Sequence, residues 1–153
     1  MPVEITAPSH KKSVSLRTWQ LFGEEVLGVL KLSKCTVSVK FVNNRTIQTY
    51  NRRFLNHNYA TDVLSFPVTS QFNQKGAFLG DVLISVEMAE QQAHRFQTSF
   101  NEELALYLVH GILHLIGFED HPKNKRIRMQ KKEQQVLKQV KRRWRLKKHK
   151  ALY

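Results

Sequence analysis

His110 and His114 stand four residues apart in the segment His110-Gly111-Ile112-Leu113-His114. Four residues advance an α-helix by about 400°, so the two imidazoles lie one turn apart on one face. Side chains placed this way can share one metal ion. Gly117 can adopt the left-handed backbone that ends a helix, which lets the chain fold back and bring His121 to the same point. Three neutral nitrogen donors with a fourth position open make a catalytic zinc site, one ion per chain, in which bound water ionises at a pH of about 7. A single histidine in an apolar helix is more often a core residue satisfied by a polar neighbour. Two at this spacing, with a third just past a helix-ending glycine, favour the metal.

The neighbouring residues narrow the reaction. Metalloproteases with an H-E-x-x-H helix use the glutamate beside the first histidine as general base. Gly111 holds that place here, which argues against peptide hydrolysis. Glu119 and Asp120 are the catalytic candidates: either can orient a ligand histidine or take a proton from bound water. The competing reading is a pair of solvated loop acids.

These residues need a frame. Val3–Ile5, Thr36–Val42, Val63–Phe66 and Phe78–Ile84 read as strands, with Pro67 stopping the third. Apolar residues at helical spacing follow Ser13 or Ser15, and Asn43 and Asn44 cap a short helix bearing Ile47, Tyr50, Phe54 and Leu55. Gln71–Gly76 reads as a polar loop. Ser85 and Ser99 each cap a further helix. The second of these is apolar nearly all round, so it is the central, His-bearing helix and stops near Gly117. A last helix begins around Asn124 and passes Val140. Strands mixed with helices, without a regular βαβ rhythm, give an α+β domain.

The 153 residues suffice for one domain, and 41% hydrophobic content supplies a core. The net charge is +13, and it is unevenly placed. Residues 1–122 carry 11 basic and 11 acidic side chains, whereas residues 123–153 carry 14 basic ones and a single acid, Glu133. A domain over residues 1–140 with a basic extension over 141–153 is the expected organisation. Lys141, Arg142, Arg143 and Arg145 can meet phosphates while Trp144 stacks on a base. The alternative is that Val136, Leu137, Val140 and Trp144 pack the helix on the body. Arg52 and Arg53 form a smaller basic patch. One cysteine, Cys35, excludes an internal disulfide, and Met1-Pro2-Val3-Glu4 lacks the basic-then-apolar pattern of a secretory leader. A cytoplasmic protein without a membrane span is expected.

His110–His121 resembles the H-G-x-L-H-L-x-G-x-D-H signature of the YbeY family of bacterial rRNA maturation factors. Asn51 with Thr61–Pro67 is similar to that family's N-x-x-Y-R-…-P-T-D-V-L-S-F-P segment, Leu79–Ser85 to its L-G-D-I-x-I-S, and Met129 and Glu133 to its M-x-x-x-E. The resemblance implies a mixed sheet packed against helices with the metal site in a cleft, and zinc held by His110, His114 and His121. It also implies a metal-dependent endoribonuclease for single-stranded RNA that acts on the 3′ end of 16S rRNA and in ribosome quality control. Ribosomal subunits, a small-subunit ribosomal protein and an assembly GTPase are the implied partners. The alternative is a non-catalytic ribosome-assembly or RNA-binding factor whose zinc is structural. Two positions depart from the pattern: Phe118 and Glu119 put one extra residue before Asp120-His121, and Leu55 stands where the family motif has arginine.

Overall fold

Alternation along the strands sorts the hydrophobic residues onto two faces of one sheet. The computed structural model describes residues 2–7, 14–68, 76–147 and 152. Among these, β1 (Val3–Thr6), β2 (Thr36–Val42), β3 (Val63–Pro67) and β4 (Phe78–Ser85) form a sheet in the order β1-β2-β4-β3. The first three in that order run parallel, and β3 pairs antiparallel to β4 along the edge. Val37, Val39 and Phe41 of β2 face the main core with Val82 and Ile84 of β4, whereas Val42, Leu83 and Leu64 face a smaller cluster closed by Ile47. The period of two along each strand dictates that division.

Five helices cover the sheet: α1 (Leu16–Val29), α2 (Asn44–Leu55), α3 (Val86–Phe96), α4 (Phe100–Leu115) and α5 (Lys123–Leu146). Helix α2 closes the smaller cluster; α1, α4 and α5 contribute to the larger one. Ser15, Asn43, Ser85 and Ser99 cap α1 to α4, each side chain accepting a backbone N–H of the first turn. The α+β class and the mixed sheet are as the sequence implies. The alternative cap Ser13 and residues 71–75 of the expected polar loop lie outside the described residues.

Helix α4 is the centre of the molecule. Leu104, Leu108, Val109, Ile112 and Leu113 are fully buried, so this helix is apolar nearly all round because it is covered nearly all round. Gly111 is required by that packing: a Cβ there would meet Val82 Cγ1 of β4 at 2.5 Å. Ser65 adds a bond across the same contact, its hydroxyl donating to the Gly111 carbonyl at 2.9 Å. The site of the missing metalloprotease glutamate is thus the point where helix and sheet touch.

Helix α5 spans Lys123–Leu146. It runs through residue 140 without a break, and Val140 and Trp144 continue a buried stripe that starts with Met129, Glu133 and Val136. Trp144 is 6% exposed and meets Phe22 of α1 edge to face, with ring centroids 6.3 Å apart. Four apolar side chains buried this way contribute on the order of 1.5–3 kcal/mol each. Trp144 thus packs the helix on the body. Residues 148–151 and 153 lie outside the described residues.

Candidate metal centre

His110 and His114 are the partly exposed side chains in the last part of α4, residues 107–115, at 25% and 26% side-chain exposure. Their Nε2 atoms lie 3.0 Å apart. The tautomers follow from the far side of each ring. His114 Nδ1 is 2.9 Å from the Phe118 carbonyl, which can only accept, so Nδ1 carries the proton. His110 Nδ1 likewise donates to the Glu133 carboxylate at 2.5 Å. Both Nε2 atoms of the neutral rings are consequently lone-pair donors aimed at one point. Asp120 Oδ2 approaches the same point, 3.0 Å from His114 Nε2 and 3.5 Å from His110 Nε2.

Three lone-pair atoms cannot crowd together in this way without a cation among them. A proton is one solution. Burial alone would lower the His110 pKa, but the hydrogen bond and charge of Glu133, then Asp120 and Asp62, raise it above the ordinary 6.5. A metal ion is the other, and the donor set of two imidazoles and a carboxylate within 4.8 Å of one another suits it. The Glu133–His110 bond is the usual support for a ligating histidine, fixing tautomer and ring angle together.

Asp120, and not His121, is the third member of the group. His121 is exposed and stands outside it. The physical reason is the extra residue after Gly117. Gly117 turns the chain back at φ 105°, and Phe118 turns its carbonyl to His114. Two more residues place Asp120 over the histidine pair and carry His121 beyond it.

A cleft of about 500 Å³ opens beside His114, lined by Leu55, Val63, Ser65, Leu115 and Phe118 among others. Glu119 lines it too, held by Lys125 Nζ at 2.7 Å, which keeps its carboxyl below the ordinary range. Arg52 and Arg53 are exposed at the end of α2 and do not line the cleft. Lys141, Arg142 and Arg145 are exposed two to three turns beyond Glu133 on α5, roughly 12–18 Å along the axis. Arg143 instead pairs with the buried Glu25 of α1 at 3.2 Å.

Comparison with known proteins assigns the family. The sequence pattern of the family described as Endoribonuclease YbeY matches residues 4–141. The chain belongs to the YbeY endoribonuclease family. It is 34% identical over 147 residues to an Endoribonuclease YbeY of Alkaliphilus metalliredigens, covering 90% of this chain and 95% of that one. Over 101 residues it is 40% identical to the Carboxydothermus hydrogenoformans Endoribonuclease YbeY, covering 66% and 69% of the two chains. The fold is similar to the solution structure of TM1509 from Thermotoga maritima, with a TM-score of 0.66 at 26% identity and 95% and 93% coverage. An RNA-cleaving role is therefore the activity of the family.

Within the YbeY fold, the sequence reading missed the part played by Glu133. Its signal was present: the one acid among 14 basic residues falls on the buried stripe of α5, four residues after Met129 and three before Val136. An acid kept on such a stripe needs a polar partner in the body.

Proposed function

We propose that this chain is a zinc-dependent endoribonuclease for single-stranded RNA, acting in the cytoplasm on the 3′ end of small-subunit rRNA and in ribosome quality control. The observation that carries the metal is the convergence of two Nε2 lone pairs and the Asp120 carboxylate, with both Nδ1 protons already committed. His110, His114 and Asp120 would hold the ion, and zinc there would supply Lewis acidity toward a phosphoryl oxygen or a water. Glu133 and the Phe118 carbonyl keep both rings in the ligating tautomer. Glu119 is a poor general base near neutral pH, because Lys125 holds its pKa below the usual value. The protein then contributes mainly orientation and a partly dry cleft.

A second reading has its own observation. The cleft wall contributed by α2 is Leu55, where the family motif has an arginine able to clamp phosphate. That substitution suits a non-catalytic RNA-binding or ribosome-assembly factor with a structural metal. One experiment separates them: cleavage of single-stranded RNA by rigorously purified protein, lost on chelation and regained with zinc. Retention of full activity after chelation rejects the zinc dependence, and no activity with stoichiometric zinc rejects the catalytic reading. The product ends then discriminate the attacking group, since a 2′,3′-cyclic phosphate requires the RNA's own 2′-OH.

A further inference from the structure

The last turn of α2 and the loop after it expose aromatic rings on a wholly cationic stretch. Residues 43–61 contain three arginines and no Asp or Glu. Phe54 is 56% exposed and Tyr59 55%, whereas an isolated hydrophobic helix face would bury such rings. Phe54 rests on Tyr50, with near-parallel planes and centroids 5.8 Å apart, and meets Phe66 of β3 edge to face at 5.7 Å. The Arg53 guanidinium sits 5.5 Å from the Phe54 centroid. His57 and Tyr59 stack on each other at 5.5 Å.

The loop is built to hold these rings in place. Asn51, 2% exposed, accepts the backbone N–H groups of Asn56 and His57 through its carbonyl. Its side-chain amide donates to the Tyr59 carbonyl at 3.0 Å. A buried amide thus pins Tyr59 against the end of the helix. The neighbouring residue, Leu55, lines the cleft that contains His114. The aromatic segment therefore adjoins the metal cleft through Leu55.

We infer that Phe54 and Tyr59, flanked by Arg52 and Arg53, form a stacking platform for the unpaired bases of a single-stranded RNA as it enters the metal cleft. Aromatic faces beside cations grip single strands without reading sequence, and they reject duplexes, whose bases are already stacked. Charge complementarity selects a polyanion over an apolar peptide for this surface. The inference rests on the endoribonuclease reading for the identity of the strand, and deepens it by naming what holds the strand.

The test is fluorescence anisotropy of a labelled 2′-O-methyl oligouridylate, single-stranded or annealed to its complement, with cleavage of unmodified RNA measured in parallel. Phe54→Ala and Tyr59→Ala should each weaken single-strand binding by about 5- to 150-fold and leave duplex binding unchanged. Phe54→Tyr should restore it. Arg52→Ala and Arg53→Ala should lower the log–log salt slope by about 0.7 for each phosphate no longer neutralised, and Phe54→Ala should not move it. Because Trp19 and Trp144 are buried, Phe54→Trp adds an exposed reporter whose emission should be quenched by the oligonucleotide. Wild-type binding by both alanine variants, or an unquenched Phe54→Trp, overturns the platform even if the protein cleaves RNA. Loss of self-association in Phe54→Ala without loss of RNA binding also overturns it, and assigns the patch to a second copy. Lost binding in the variants with no cleavage by the wild type leaves the platform standing and rejects the nuclease reading.

Discussion

Glu133 and Glu25 are both buried carboxylates, 6% and 7% exposed, and both join α5 to the rest of the fold. Their partners differ. Glu133 faces an imidazole and accepts its Nδ1 proton, so its effect is felt at the other ring nitrogen, where a metal would bind. Glu25 faces Arg143 and Lys147, two permanent cations at 42% and 53% side-chain exposure, and its effect ends there. One acid tunes a site; the other ties a helix down. Residue type and burial do not distinguish the two roles, but the chemistry of the partner does. The same helix thereby serves the site at its middle and the core near its C-terminal end, with Met129, Val136, Val140 and Trp144 filling the stripe throughout.

The largest effect belongs to the ligands. His114→Ala should abolish stoichiometric metal, measured by elemental analysis of the purified variant, and with it any metal-dependent RNA cleavage. Glu133→Gln comes next, lowering metal affinity by about 10- to 100-fold. Its pH signature gives a second measure. Glu133 raises the His110 pKa above 6.5, so protons displace metal at a higher pH than from a free imidazole; affinity should fall as pH drops through that raised value. Glu133→Gln should move the fall to lower pH. In metal-free protein the same hydrogen bond stabilises the fold fully below the unfolded pKa, and that contribution disappears as pH rises through the folded one. A competition titration against a chelator across pH reads the first effect, and thermal melts read the second.

Glu25→Gln should do the converse: a loss of about 1–2 kcal/mol in denaturant unfolding, discounted for the solvent around its partners, with metal content unchanged. Lys147→Ala should have the smallest effect, below about 1 kcal/mol, because Arg143 still holds Glu25 and the lysine is half in water. If Glu25→Gln lost metal as Glu133→Gln does, the contrast between the two acids would collapse.

Much of this was legible in the chain. Strand β2 could be read from its alternation, and the others from short runs of β-prone residues. The central helix could be read from its lack of a polar face, and the histidine pair from spacing, since i and i+4 share a side in any helix. Position beyond the helix end was less legible. No periodicity governs a loop, and with one extra residue after Gly117 the fold puts Asp120 beside the histidine pair and leaves His121 exposed. Trp144 was undecided for a different reason. A tryptophan among arginines fits both a stacking surface and a buried stripe, and the choice depends on Phe22, 122 residues earlier in the chain. Glu133 required knowing that His110 lies opposite it.

The composition of the metal centre is the central claim, and metal stoichiometry in Asp120→Ala beside His121→Ala tests it most directly. The geometry predicts that Asp120→Ala loses bound metal while His121→Ala retains it. Retention in Asp120→Ala with loss in His121→Ala would contradict it.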